Sequence, residues 1–350
     1  MSQGEKKDSF RKLKSFYDKE YKKLFIIPIL LLVLALAQIG YQYSTTGDFL
    51  NKGIALKGGV TITIPDKVVD IVQLNDELNS EFSDIEVSVR SLNVAGTQEG
   101  VIIDADINSE DNEMLTLFTE TIENKLSITK DEYSIDITGS ALGESFFHET
   151  LRALVVAFLF MGAVVFLYFG NNFKTKAIVF ILTAITSYLI FNSLGTITDI
   201  ISAILSIVII GIFIRYSIPS VAVVVAALSD IIITLAIVNI MGIKLSTAGI
   251  AAFLMLIGYS VDTDILLSTR VLKRKEGSVF SRVLGAMKTG LTMNITTMVA
   301  LVAAFLISSS EVIKQIMLIL LIGLIVDIIN TWIQNVGILR LYIEKSKKNE

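Results

Sequence analysis

Asp262 and Asp264 sit within LIGYSVDTDILL, part of an otherwise apolar run from Thr247 to Leu267 that is long enough to cross the hydrocarbon layer of a bilayer. A carboxylate at the centre of a spanning helix costs roughly 2.5 to 3.5 kcal/mol even on insertion-based scales, so a chain that keeps two gives them partners, water or a task. The chemistry open to them is reversible uptake of a proton or another cation. Burial penalises the charged form and a nearby cation such as Lys288 favours it, the opposition that a reversible carrier requires. The competing reading is a set of polar contacts that only lock helices together. Side chains two residues apart on a helix point about 200° apart, so one of the pair is expected to face the bundle interior and the other a different partner or a cavity edge. Asp230 in ALSDIIIT, Lys288 ahead of a later span and Asp327 in the last one complete the relay candidates. Lys288 also fits a lysine that extends its head to the interface.

Such acids need a bundle around them. A mean hydropathy of +0.67, with 53% hydrophobic and 18% charged residues, describes an integral membrane protein. Spans are predicted at Leu24 to Tyr43, Leu151 to Phe169, Ala177 to Leu194, Ile197 to Ile214, Ile218 to Met241, Thr247 to Leu267, Leu291 to Ile307 and Ile313 to Ile338. The first follows a basic segment, residues 1–23, that includes Lys6, Lys7, Arg11 and Lys12. It is too long for a signal peptide and lacks a small-residue cleavage site, so it is expected to stay as an anchor. Lys174 with Lys176, then Arg215, then Arg270 to Lys288, then Arg340 to Lys348 fall on alternate connections, on the same side as the basic tail. That side is expected to be cytoplasmic, with Lys244 the exception. The layout is thus cytoplasmic tails at 1–23 and 342–350, a first transmembrane helix at 24–43, an extracytoplasmic domain at 44–149 and about seven further helices over 150–341. Gly249, Ala251, Ala252 and Gly258 are small enough to let helices approach closely.

The segment between the first two spans is polar and acidic, and large enough for one small domain. Thr61 to Ile64 alternates like a strand, and Val68 to Phe82 has helical spacing. Ile85 to Val94 and Val101 to Ile107 read as strands joined through a turn at Gly96 to Gly100. Met114 to Leu126 is predicted as a helix opened by Ser109, and Tyr133 to Ile137 as a last strand. The order βαββαβ is that of a ferredoxin-like unit.

The sequence has no cysteine, so disulfides and thiolate metal sites are excluded, and with His148 as the only histidine no site of several imidazoles can form. There is no phosphate loop and no nucleophile, base and orienter set. No enzymatic activity, cofactor, metal or nucleic-acid partner is therefore expected. His148, beside Glu149, reads as a polar residue where the chain re-enters the membrane.

Four stretches in this order resemble the SecF family, particularly its archaeal form: GIALKGGV after the first span, ALSDIIIT, IGYSVDTDILL with a basic loop behind it, and IVDIINTWIQNVGIL near the end. Gly53, Lys57, Gly58 and Gly59 belong to the first of these. The resemblance implies half of a transporter-like bundle related to the RND exporters, pairing with SecD beside SecY in the lipid bilayer. It also implies use of the ion gradient to move the exposed domain and assist a translocating polypeptide. One charge crossing 100 mV supplies about 2.3 kcal/mol, enough to bias such a movement.

Bacterial members carry GYSVND, so the asparagine's place falls on Asp262 here and the acid's place on Thr263, which leaves the role open between Asp262 and Asp264. Lys288 stands where relatives often have arginine. The family has six spans against eight here, the surplus lying between Gly170 and Arg215. A shift of 47 positions pairs Asn192 with Asn239, Gly195 with Gly242 and Gly211 with Gly258, as a duplicated hairpin without the central acids would. The other functions compatible with the sequence are an RND-type exporter subunit for small molecules or lipids, and a scaffold that holds SecD without moving ions.

Overall fold

The computed structural model describes residues 14–94, 97–192, 195–274, 276–308 and 310–349. Lys6, Lys7, Arg11 and Lys12 of the basic tail, Gly96, Leu194 and Lys275 lie outside the described residues.

A small α+β domain interrupts the bundle. Its elements are β1 (Gly59–Pro65), α5 (Ile71–Glu81), β2 (Val87–Val94), β3 (Thr97–Ala105), α6 (Asn112–Leu126) and β4 (Ser134–Thr138). The sheet order is β2-β3-β1-β4 with every neighbour antiparallel, which is the ferredoxin-like arrangement. Val60, Ile62 and Ile64 of β1 alternate inward with Val101 and Ile103 of β3, and α5 and α6 close the core with Leu78, Phe118 and Ile122. Both helices start at an aspartate. Asp70 accepts from the amides of Val72 and Gln73, and Asp111 accepts from that of Met114. The cap of α6 is thus Asp111 rather than Ser109, because Asp111 directly precedes the first helical residue. The turn expected up to Gly100 is shorter than predicted, since β3 already pairs at Thr97 with Val94.

The GIALKGGV stretch forms the junction between domain and bundle. Gly53 precedes the single turn α4 (Ile54–Lys57), and Gly58 and Gly59 follow it with φ of +90° and +132°. A side chain at Gly58 would collide with the backbone of Ser140 at the start of α7 (Ser140–Phe169), and one at Gly59 with the carbonyl of Ala105. Only glycine satisfies both the left-handed backbone and the close approach. Lys57 reaches Glu86 at 3.3 Å.

Among the described residues, eight helices are long and apolar enough to cross a membrane. The first combines α2 (Tyr21–Leu24) and α3 (Ile26–Thr46), behind a helical segment α1 at residues 14–19. After α7 come α8 (Phe173–Phe191), α9 (Thr196–Tyr216), α10 (Ile218–Ile240), α11 (Thr247–Lys273) and α12 (Val279–Ile307). The last span runs through α13 (Glu311–Ile329), a π-helical segment (Asn330–Asn335) and α14 (Val336–Asn349). α10 and α11 form the centre: 56% of the most apolar window of each is buried, against 11 to 33% in the others. They pack on each other, on α7 and on α13.

The hairpin α8–α9, in the stretch where the extra pair of spans is expected, packs between α7 and α10. Its buried polar side chains among the described residues are hydroxyls only: Thr183, Thr186, Ser187 and Ser202. Gly195 and Gly242, paired by the 47-residue shift, both adopt positive φ (+129° and +68°) in the connection that follows a spanning helix.

Candidate functional site

Three carboxylates meet at the centre of the bundle: Asp230 from α10, Asp264 from α11 and Asp327 from α13, each fully buried. Asp230 accepts from Ser260 Oγ at 2.5 Å and from Asn330 Nδ2 at 2.7 Å. Asp264 Oδ1 accepts from Asn335 Nδ2 at 2.7 Å, and Asp327 Oδ2 accepts from Asn294 Nδ2 at 2.9 Å. Between the last two acids stands Thr331, whose hydroxyl lies 3.0 Å from Asp264 Oδ1 and 2.9 Å from Asp327 Oδ1. A hydroxyl has one proton to give, so it donates to one of these oxygens at a time. Asp264 Oδ2 is buried without a partner, as are the amide oxygens of Asn330, Gln334 and Asn335. Among the described residues no lysine or arginine forms an ion pair with any of the three acids.

The last span supplies most of the donors because its winding changes there. The amide of Val336 donates to the carbonyl of Thr331, five residues back, and to that of Ile333. The wider turn is lined by Asn330, Thr331, Trp332, Gln334 and Asn335, all buried. Single turns of this kind occur often at functional sites. Trp332 fills the space beside Gly290 of α12, where a β-carbon would run into its ring and into Thr263.

The five sequence candidates separate into two groups. Asp230, Asp264 and Asp327 converge in the cluster. Asp262 is exposed on the outer face of α11, and Lys288 is exposed on α12. The expectation that Lys288 stands beside the acids and favours their charged form does not hold, because its side chain lies on the outside of its helix. Thr263, at the place of the family's acid, is buried and donates weakly to Asn294 Oδ1 at 3.4 Å.

Ser260, Asn294, Asn330, Thr331 and Asn335 were not among the candidates. For Asn330, Thr331 and Asn335 the sequence carries a signal: from Asp327, polar residues recur at 330, 331, 334 and 335, the spacing of one helix face in an otherwise apolar span.

Residues 193–345 match the family model of the protein-export membrane protein SecD/SecF, C-terminal. A protein-export membrane protein SecF from Pyrococcus furiosus is 34% identical over 348 residues, covering 97% of each chain. The chain belongs to the SecF family. A second SecF, from Methanocaldococcus jannaschii, is 35% identical and covers 93% of this chain and 96% of its own. Among solved structures, SecDF from Thermus thermophilus, described as a translocon-associated membrane protein, superposes with a TM-score of 0.56 at 16% identity. The match covers 93% of this chain and 38% of that one, so this SecF family member has the fold of a part of SecDF.

Proposed function

We propose that this chain is an accessory subunit of the Sec protein-export machinery that pairs with SecD, acts beside SecY and couples the ion gradient to movement of its exposed domain. The observation that carries the coupling is the threonine held between two buried carboxylates that, among the described residues, have no lysine or arginine paired with them. Three carboxylates at the centre of a bundle form a site that takes up positive charge, since isolated buried charges cost several kcal/mol each by order of magnitude. Uptake of a proton by Asp264 or Asp327 lets that acid donate to Thr331 while Thr331 donates to the other. Transfer of the proton to the other acid reverses the order, and its loss leaves two carboxylates with the single Thr331 proton to share. Asp264 is the primary carrier in this reading because its second oxygen has no partner, with Asp327 and Asp230 as coupled members.

Several features favour this reading. The exposed Asp262 and Lys288 present charge on the outside of the bundle, as expected of a half that meets a partner half within the bilayer. The basic tail and the alternating basic loops support cytoplasmic termini and an extracytoplasmic domain at 44–149. The chain carries out no hydrolytic chemistry of its own in this scheme.

The test is Asp264→Asn in membrane vesicles that hold SecD. Stimulation of precursor export by an imposed membrane potential is expected to disappear while SecD still copurifies. Undiminished stimulation would overturn the relay.

A further inference from the structure

We infer that Tyr17, in the segment ahead of the first span, is a positioning residue for the carboxylate cluster, acting through the π-helical turn. The inference rests on the relay reading above. In an α-helix the carbonyl of Trp332 would receive the amide of Val336, but that amide is turned to Thr331 and Ile333. The hydroxyl of Tyr17 donates to the Trp332 carbonyl instead. A side chain from a segment more than three hundred residues away thus supplies a hydrogen bond at the turn that carries Asn330, Thr331 and Asn335.

Tyr17 is itself held. Its ring stands 6.1 Å from that of Phe280, and Tyr17 packs with Trp332, Val336 and Leu339 in one apolar cluster. The next residue, Asp18, accepts from Arg340 at 2.7 Å, and Arg340 also lies 4.1 Å from the Tyr21 ring. Further along, Tyr21 donates to Glu344 at 2.6 Å and Lys22 pairs with it at 3.3 Å. These contacts clamp the opening segment along the last helix, and the Tyr17 contact is the one that falls on the π-helical turn. The acids that this turn serves are Asp230, Asp264 and Asp327; the charged groups around Tyr17 are Asp18 and Arg340. Without the hydroxyl, the turn can rewind toward α-helical bonding, and the donors to the carboxylates shift with it.

The chain provides its own probe, since Trp332 is the only tryptophan. The experiment follows Trp332 emission against pH in the purified full-length protein in lipid nanodiscs, for wild type, Tyr17→Phe and Glu344→Gln. Tyr17→Phe keeps the ring and removes the donor; Glu344→Gln weakens the same clamp away from the turn. Wild-type emission is expected to change with pH as the neighbouring carboxyls titrate. In Tyr17→Phe the midpoint is displaced by about one pH unit, the size of one hydrogen bond's net contribution. In Glu344→Gln it stays in place. Amide hydrogen exchange over residues 330–336 is expected to rise about tenfold in Tyr17→Phe alone, the factor matching that same contribution. An unmoved midpoint in Tyr17→Phe, or an equal displacement in Glu344→Gln, overturns the positioning role and leaves the relay standing. Flat wild-type emission overturns the relay, and this role with it.

Discussion

The amine of Lys244 lies 2.9 Å from Glu86, so the connection between the two central acid-bearing helices is tied by charge to the globular domain. Backbone contacts reinforce the tie. Leu245 donates to the carbonyl of Asn51 at 2.7 Å and accepts from the amide of Gly53 at 2.8 Å. Gln315, at the start of the last span, holds the same loop through Ser246 and the Lys244 carbonyl. Any change of tilt in α10 or α11 therefore reaches the domain through residues 244–246. The pairing also gives Lys244, a basic residue in a connection on the side opposite the basic tail, an acidic partner in the domain.

The first prediction concerns pH at this joint. The hydrogen bond from Lys244, with its charge and that of Lys57, holds the Glu86 carboxyl below its ordinary range against the opposing effect of partial burial. A carboxylate with a lowered folded-state pKa contributes stability above its ordinary pKa and loses it as pH falls through the folded value. The joint is thus intact at neutral pH and loosens in acid. Because Glu86 is half exposed, a double-mutant cycle of Glu86→Gln and Lys244→Met is expected to give a coupling of only about 0.2 to 1 kcal/mol. Thermal unfolding at neutral pH measures it, and the coupling should vanish well below the ordinary carboxylate range. A coupling that persists there would show that charge is not what joins the two parts.

Thr331 offers a sharper test of the cluster than any of the acids. Thr331→Val keeps the shape and removes the hydroxyl that lies within hydrogen-bond reach of both Asp264 and Asp327. It is expected to destabilise the chain by about 1 to 3 kcal/mol, as for loss of a buried hydrogen-bond partner, and to abolish potential-driven export. Thr331→Ser is expected to retain both. In stability, combining Thr331→Val with Asp264→Asn should cost less than the sum of the two single losses, because the two side chains act as one unit. Strictly additive losses in the double variant would contradict a shared proton.

Much of this arrangement was legible in the sequence, and what was not has physical reasons. The ferredoxin-like order followed from alternation in β1 and β3 and from helical spacing in α5, since each element buries one face. The 200° separation of Asp262 and Asp264 required them to face different surroundings, but which one faces inward depends on where α10 and α13 pack. The charge of Lys288 does not say which way it points, and a long side chain on a span's outer face needs no acid partner. The π-helical turn had no signature of its own: NTWIQN contains neither proline nor glycine, and its winding is supported by contacts with Tyr17 and with the carboxylates. The polar stripe that begins at Asp327 is visible in the sequence, but helical spacing alone does not say that its members donate to acids on α10 and α11.

The fit of Trp332 against Gly290 yields a third prediction. An added methyl at Gly290 has no room beside the indole, and the ring must move or the helices must part. Overpacking of this kind costs about 1 to 3 kcal/mol. Gly290→Ala is expected to lower the unfolding temperature and to shift Trp332 emission, whereas Gly285→Ala, on the open side of the same helix, should do neither. Equal effects of the two substitutions would indicate a general loss of helix packing rather than this contact.

The last prediction separates the interior of the bundle from its outer face. Asp262 lies on the exposed side of α11 with Met255 and Tyr259, which are 44% and 39% exposed. In the isolated chain that carboxylate lies on the outside of the bundle, where full contact with hydrocarbon costs roughly 2.5 to 3.5 kcal/mol. Replacing it should therefore stabilise the chain alone. If the face is where SecD docks, the same change should weaken the complex, because a partner built to meet a carboxylate is left with an unmatched polar group. Asp262→Leu is accordingly expected to raise the unfolding temperature of the isolated protein and to lower the yield of copurified SecD. The two effects have opposite signs, and no general loss of folding produces that combination. A stabilised chain that still binds SecD fully would place the interface elsewhere on the bundle, while leaving Asp264 and its neighbours free to act as proposed.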